Sequence, residues 1–236
     1  MNKQRSIIGI LGGMGPQASA HLVKLLVDKS TKEFEAKNGN DFPEIVLDSI
    51  PIPDFIVDKE NEKTALKMLK ERIKQMSKMQ VGIFAISCNT AHILLDQLQS
   101  VSRAPFISMI DEIAKEIKGC GMKKVGLLAS PTTFKLGIFQ KAIGSACLIK
   151  PSMAEFQILE VIIRKVIAGK VQKSDKLKLV EVANSLKEKG AQGIILGCTE
   201  LPLIFPKRFD IPVFDSLEIL ARVLLKRHYL GKGDGV

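Results

Sequence analysis

Two stretches of this chain end alike. Val81-Gly-Ile-Phe-Ala-Ile-Ser-Cys88-Asn-Thr-Ala-His92 and Gln192-Gly-Ile-Ile-Leu-Gly-Cys198-Thr-Glu-Leu-Pro202 are short apolar runs rich in β-branched residues. Each stops at a cysteine and passes into a helix-like segment. Such runs read as strands buried on both faces, and hence as members of a parallel sheet, because strands with one wet face alternate instead. Open α/β sheets hold their ligands beyond the carboxyl ends of the strands, which is where Cys88 and Cys198 fall. The pattern also puts each thiol at the start of a helix, whose unpaired N–H groups favour a thiolate.

The pairing extends beyond these runs. Ile8-Gly-Ile-Leu11 is echoed by Val125-Gly-Leu-Leu128, and Pro105-Phe-Ile-Ser-Met-Ile-Asp-Glu-Ile-Ala114 by Pro212-Val-Phe-Asp-Ser-Leu-Glu-Ile-Leu-Ala221. Offsets close to half of 236 residues imply two similar halves. Alternating strand and helix signals make each half a doubly wound α/β domain with a parallel sheet. The expected division is 1–110 plus 215–236 for the domain carrying Cys88, and 111–214 for the domain carrying Cys198. Pseudo-two-fold symmetry between them would set the cysteines on opposite walls of one cleft. Among the intervening elements, single helices are expected from Thr90 to Ser100 and from Pro131 to Ile143.

Composition narrows the function. The net charge of +10 comes mostly from lysines scattered over helix-like segments. Without a dense basic run or interleaved aromatics, these read as solvated helix faces rather than a nucleic-acid footprint. Four cysteines without C-x-x-C or zinc-like spacing indicate reduced thiols in a cytoplasm, and no metal site. Lys3 and Arg5, the run Ile7 to Leu11, and Ala18-Ser19-Ala20 imitate a secretory signal with its cleavage site. The apolar run is too short and is broken by Gly12, Gly13, Gly15 and Pro16, so it reads as a first strand and turn. No run approaches the roughly 18 apolar residues of a membrane span.

A pair of thiols suits the inversion of a carbon bearing an acidic proton. One thiolate takes the proton from one face, and a thiol on the other face returns one. The carbanion between them needs donors aimed at the substrate carboxylate. Asn89, Thr90 and Thr199, directly after the cysteines, are placed to supply them. Cys120 and Cys147 lack this context and read as structural. His92 lies one helical turn after Cys88, within reach of the thiol, and reads equally as a helix-surface or packing residue. Glu200 is read as holding Thr199 or capping its helix, and Asp48 and Asp54 as loop caps.

At Ile10-Leu-Gly-Gly-Met-Gly-Pro16, Ser87-Cys-Asn-Thr-Ala-His92 and Gly197-Cys-Thr-Glu-Leu-Pro202 the chain resembles the aspartate/glutamate racemases, which work without pyridoxal phosphate. The resemblance runs nearly end to end. It implies Cys88 and Cys198 as the acid/base pair, Cys198 acting on the L-substrate and Cys88 on the D-substrate. It also implies substrate contacts from Met14, Asn89, Thr90, Thr133 and Thr199, with Glu200 beside them. A homodimer with neither metal nor cofactor is the family's habit. One departure stands out. Phe55 and Ile167 occupy the positions where aspartate-specific members carry an arginine and a lysine to grip the side-chain carboxylate, and Arg164 and Lys165 are the nearby substitutes.

Three other readings compete. Gly13-x-Gly15-x-x-Ala18 after a strand fits the dinucleotide fingerprint of an NAD-dependent oxidoreductase, although the acidic residue expected about 20 residues on is missing. A non-catalytic binding protein on the same fold is the second. An isomerase of a related small carboxylic acid is the third.

Overall fold

The computed structural model describes residues 6–53 and 59–231. In chain order its elements are β1 (Ile7–Gly12), α1 (Pro16–Phe34), β2 (Ile45–Ser49), α2 (Lys59–Lys78), β3 (Val81–Ile86), α3 (Leu95–Gln99), β4 (Phe106–Ile107), α4 (Met109–Gly119) and β5 (Lys124–Leu128). They continue as α5 (Pro131–Leu136), α6 (Ile138–Ala142), β6 (Cys147–Ile149), α7 (Met153–Ile167), α8 (Lys173–Glu188), β7 (Ile194–Leu196), β8 (Val213–Asp215) and α9 (Ser216–Leu230).

These strands make two four-stranded sheets, in the orders β2-β1-β3-β4 and β6-β5-β7-β8, and every pairing is parallel. The sequence repeat is therefore a repeat of topology. In each sheet the chain leaves the first strand toward one edge and later returns to pair on its other side. That reversal opens a crevice at the carboxyl ends of two adjacent strands, the usual seat of a ligand in open α/β sheets. In the first sheet the crevice lies after β1 and β3, and in the second after β5 and β7.

The chain divides into two compact units, Met1–Ser108 with Leu220–Val236, and Met109–Ile219. In the first, Ala65, Leu69, Ile73 and Met76 line one face of α2 and pack with Leu11, Phe84 and Ile86 of β1 and β3. In the second, Leu179, Val182, Ala183 and Leu186 of α8 and Leu159, Ile162, Ile163 and Val166 of α7 pack with Leu128, Ile194 and Leu196. Each of the larger side chains, alanines apart, contributes roughly 1.5–3 kcal/mol by leaving water.

Gly9 and Gly126 hold matching places in β1 and β5. A Cβ at Gly9 would lie 2.6 Å from a methyl of Val81 and 3.0 Å from Met76, and one at Gly126 2.8 Å from Ile194 and 3.0 Å from Leu186. Both glycines let a helix sit close on the sheet.

The structure departs from the expected elements in four places. The helix expected over Thr90 to Ser100 is a 3₁₀ segment, Thr90–Leu94, followed by α3. The helix expected over Pro131 to Ile143 breaks at Gly137, whose φ of 63° closes α5 before α6 begins. Asp48 is no loop cap, since it lies within β2 and pairs with Arg72 of α2 at 3.6 Å. Cys120 and Cys147 are both exposed, so neither is a core residue. Among the described residues no helix is long and apolar enough to cross a membrane.

Candidate active site

Each crevice receives one of the two cysteines. In the first unit the main chain of Ser87 donates to the Leu11 carbonyl at 3.0 Å, joining the ends of β1 and β3 one residue before Cys88. In the second, Gly197 donates to the Leu128 carbonyl at 2.8 Å, one residue before Cys198. The two bonds are equivalents in the repeat, and they seat both thiols by the same device. Gly197 is required by close packing, because a Cβ there would lie 2.5 Å from Leu127 and 2.9 Å from Phe139.

Cys88 is 9% exposed and borders the apolar cluster of its unit, against which Met14 also packs. Asn89 and Thr90, which follow it, are buried. His92 meets Cys88 through main chain: its Nδ1 lies 2.8 Å from the Cys88 carbonyl. A carbonyl only accepts, so Nδ1 carries the proton. Beside this contact the main chain is 3₁₀ rather than α: the His92 N–H bonds to the Asn89 carbonyl at 3.1 Å, while the Cys88 carbonyl takes the ring.

Cys198 is half-buried, and its surroundings are more polar. Its Sγ donates to Glu200 Oε2 at 2.9 Å, and Thr199 Oγ1 donates to the same oxygen at 3.2 Å. Glu200 is 3% exposed and Thr199 1%. A carboxylate taken this far from water needs donors, and here the thiol is one of them. Glu200 therefore does hold Thr199, as expected, and holds the thiol as well. The segment after it is a three-residue 3₁₀ turn, Leu201–Leu203, with Pro202 in its first turn. Neither cysteine thus opens directly into an α-helix, and the expected help from a helix dipole gives way to side-chain contacts.

Thr133 is buried in the crevice after β5. Its N–H donates to Ser130 Oγ at 3.2 Å, and the two hydroxyls lie 3.0 Å apart, capping α5. The first unit holds two residues that the sequence did not flag. Ser19 and Ser87 bring their hydroxyls within 2.8 Å of each other, beside the loop after β1.

The expected substitutes for the side-chain clamp are committed elsewhere. Arg164 pairs with Glu160 at 2.8 Å, and Lys165 with Asp175 at 2.7 Å. The Lys165 bond, helped by the Gln172 N–H, holds the Asp175 carboxyl below the usual range. Ile167 is exposed at the end of α7. Asp54 and Phe55 lie outside the described residues.

The glycine loop serves the protein's own packing. A Cβ at Gly13 would lie 2.2 Å from the Ile50 carbonyl oxygen, and the φ of 95° there suits glycine alone. Among the described residues no group of three or more His, Cys, Asp or Glu side chains is placed to hold a metal ion.

The sequence model of the Asp/Glu/hydantoin racemase family matches residues 11–224. The broad specificity amino-acid racemase RacX of Bacillus subtilis is 27% identical over 224 residues, spanning 92% of this chain and 95% of its own. Among solved structures, the aspartate racemase of Picrophilus torridus superposes with a TM-score of 0.82 at 30% identity, covering 94% of each chain. An aspartate racemase homologue from Pyrococcus horikoshii gives 0.79 at 29% identity, covering 94% of this chain and 98% of the other.

Proposed function

Since the chain belongs to the Asp/Glu/hydantoin racemase family, we propose that it is an amino-acid racemase working without a cofactor, with Cys88 and Cys198 as its two proton-transferring groups. In one direction the Cys88 thiolate takes the α-proton of the D-amino acid and becomes a thiol. The electron pair left on the α-carbon is delocalised into the carboxylate. The Cys198 thiol then gives its proton to the opposite face and becomes a thiolate. The reverse direction starts from the L-amino acid with Cys198 as base. Asn89, Thr90, Thr133 and the main-chain N–H of Thr199, whose hydroxyl is given to Glu200, are the donors for the substrate carboxylate, and Met14 packs beside it. Donors of this kind, fixed before the charge develops, lower the barrier by interactions that strengthen in the transition state.

The observation that carries this reading is the bond of 2.9 Å from Cys198 Sγ to Glu200 Oε2. A half-buried cysteine of purely structural use has no need of a buried carboxylate. One that must start the L-to-D direction as a thiolate does, because the carboxylate is placed to take the thiol proton before the substrate's α-proton is removed.

The side chain accepted extends beyond aspartate. Ile167 brings no charge to the clamp position, and Arg164 and Lys165 are paired within α7 and α8. The test is a panel of L- and D-amino acids incubated with the wild type and with Cys88→Ser and Cys198→Ser, followed by chiral chromatography. Expected are turnover of at least one uncharged amino acid at a rate matching aspartate, and loss of racemisation in both variants with the fold retained. Near-normal turnover by either variant overturns the thiol assignment. A preference for aspartate above a hundredfold overturns the specificity.

A further inference from the structure

Ser19 stands in the Ala18-Ser19-Ala20 tripeptide that imitates a cleavage site, and nothing in the two-thiol chemistry calls for it. It is 1% exposed on α1, and Ser87, which precedes Cys88, is 0% exposed. Four contacts converge here. The Gly13 N–H donates to Ser19 Oγ at 3.0 Å, Ser19 Oγ donates to the Gly15 carbonyl at 3.1 Å, the two hydroxyl oxygens are 2.8 Å apart, and Ser87 Oγ lies 3.5 Å from the Leu11 carbonyl.

A hydroxyl donates once and accepts twice. If Ser19 gives its proton to Gly15, it must accept from both Gly13 and Ser87, and its capacity is full. The other arrangement, with Ser19 donating to Ser87, leaves Ser87 only the 3.5 Å contact, at the edge of a hydrogen bond. The shorter bonds favour one direction: Ser87 to Ser19, and Ser19 to Gly15. One buried oxygen so gathers both sides of Met14 and the end of the strand that delivers Cys88.

We propose that Ser19 and Ser87 are positioning residues, a hydroxyl pair that locks the Gly13-Met14-Gly15 loop to the Cys88 strand end so that substrate contact and thiol keep one fixed spacing. The proposal rests on Cys88 being an acid/base group. The second unit has no such pair, because Gly197 stands where Ser87 does, so the device serves one thiol only.

The test compares Ser19→Ala, Ser87→Ala, the double variant and Ser87→Thr with wild type and Cys88→Ser. The readouts are kcat, KM, the thermal midpoint, and the pH dependence of iodoacetamide labelling at Cys88 and Cys198, followed by peptide mass spectrometry. A small misplacement of a reacting group costs one to two decades of rate, so each alanine variant should lose about tenfold in kcat with KM within threefold. Cys88 labelling should change severalfold in rate or midpoint, with Cys198 labelling unchanged. Ser87→Thr, which keeps the hydroxyl, should recover most of kcat. The double variant leaves one unpaired group fewer than Ser19→Ala, because the orphaned Ser87 hydroxyl goes too. It should therefore recover part of the thermal midpoint lost in Ser19→Ala without recovering Cys88 labelling.

Wild-type kcat and Cys88 labelling in the alanine variants, with Cys88→Ser inactive, overturn the hydroxyl pair alone. So does a double variant that recovers labelling along with its midpoint. If Cys88→Ser itself turns over normally, the acid/base assignment beneath falls. Should Ser19→Ala fail to fold, Ser87→Ala decides, since it removes one bond where Ser19→Ala removes three.

Discussion

Glu200 shows how far a single residue can be read from sequence. Cys-Thr-Glu after a strand is legible as a site, but whether the carboxylate turns to Thr199, to a helix end or to the thiol depends on backbone angles that spacing does not fix. The bond to Sγ is seen only in the fold, where the chain turns through Glu200 into the short 3₁₀ segment Leu201–Leu203 with the carboxylate against Cys198. Ser19 was less legible still. Its value lies in contacts 6 and 68 residues away, and a serine in an apolar helix pattern has no distinguishing signal. Glu200→Gln keeps the shape and an acceptor for the thiol but cannot take a proton. Positioned acid/base groups are worth about 10²–10⁴ in rate, so kcat should fall at least a hundredfold with KM within threefold. A loss under threefold, measured in both directions, would mean that Glu200 only packs.

At the scale of elements, the parallel strands were legible because burial on both faces leaves an unbroken apolar run, and the helix faces because lysines and leucines alternate at helical spacing. The breaks were not. The 3₁₀ segment after Cys88 goes with a ring nitrogen bonded to the Cys88 carbonyl, and the break at Gly137 follows from one residue's choice of φ. Capping was only partly visible. Ser152 and Glu155 form a reciprocal box at the start of α7, and Lys189 from the end of α8 adds an ion pair to Glu155 at 3.1 Å. Burial pushes the Glu155 carboxyl up, but bonds from Ser185, Ser152 and Lys189 outweigh it and bring it from 4.5 to about 2. A carboxyl lowered on folding stabilises the fold above its unfolded value, and that contribution is lost as pH falls through the folded one. Glu155→Gln should therefore cost on the order of 1–3 kcal/mol at pH 7, since about 1.4 kcal/mol per unit sets a ceiling of roughly 3.5 and solvent screening lowers it. The gap from wild type should narrow between about pH 4.5 and pH 2. Urea unfolding across that range checks it, and a gap that does not change with pH would assign the cost to packing.

For the whole molecule, the repeat was legible in three sequence echoes, and it reappears as two sheets of one topology with a cysteine at each crevice. The halves differ in how each thiol is held. One relies on a hydroxyl pair and a histidine bonded to the main chain, the other on a carboxylate. That difference was hidden because it lies in side-chain contacts, while the echoes lie in strands. Proton inventory is the quantity that the two thiols share. In D₂O, early in racemisation of a preferred amino acid, opposed thiols take protium from one face and return deuterium to the other. Mass spectrometry of the separated enantiomers should find the product carrying α-deuterium while the remaining substrate keeps its protium. Protium carried over into the product, or deuterium entering the recovered substrate as fast as it enters the product, would contradict a reaction run by two groups on opposite faces.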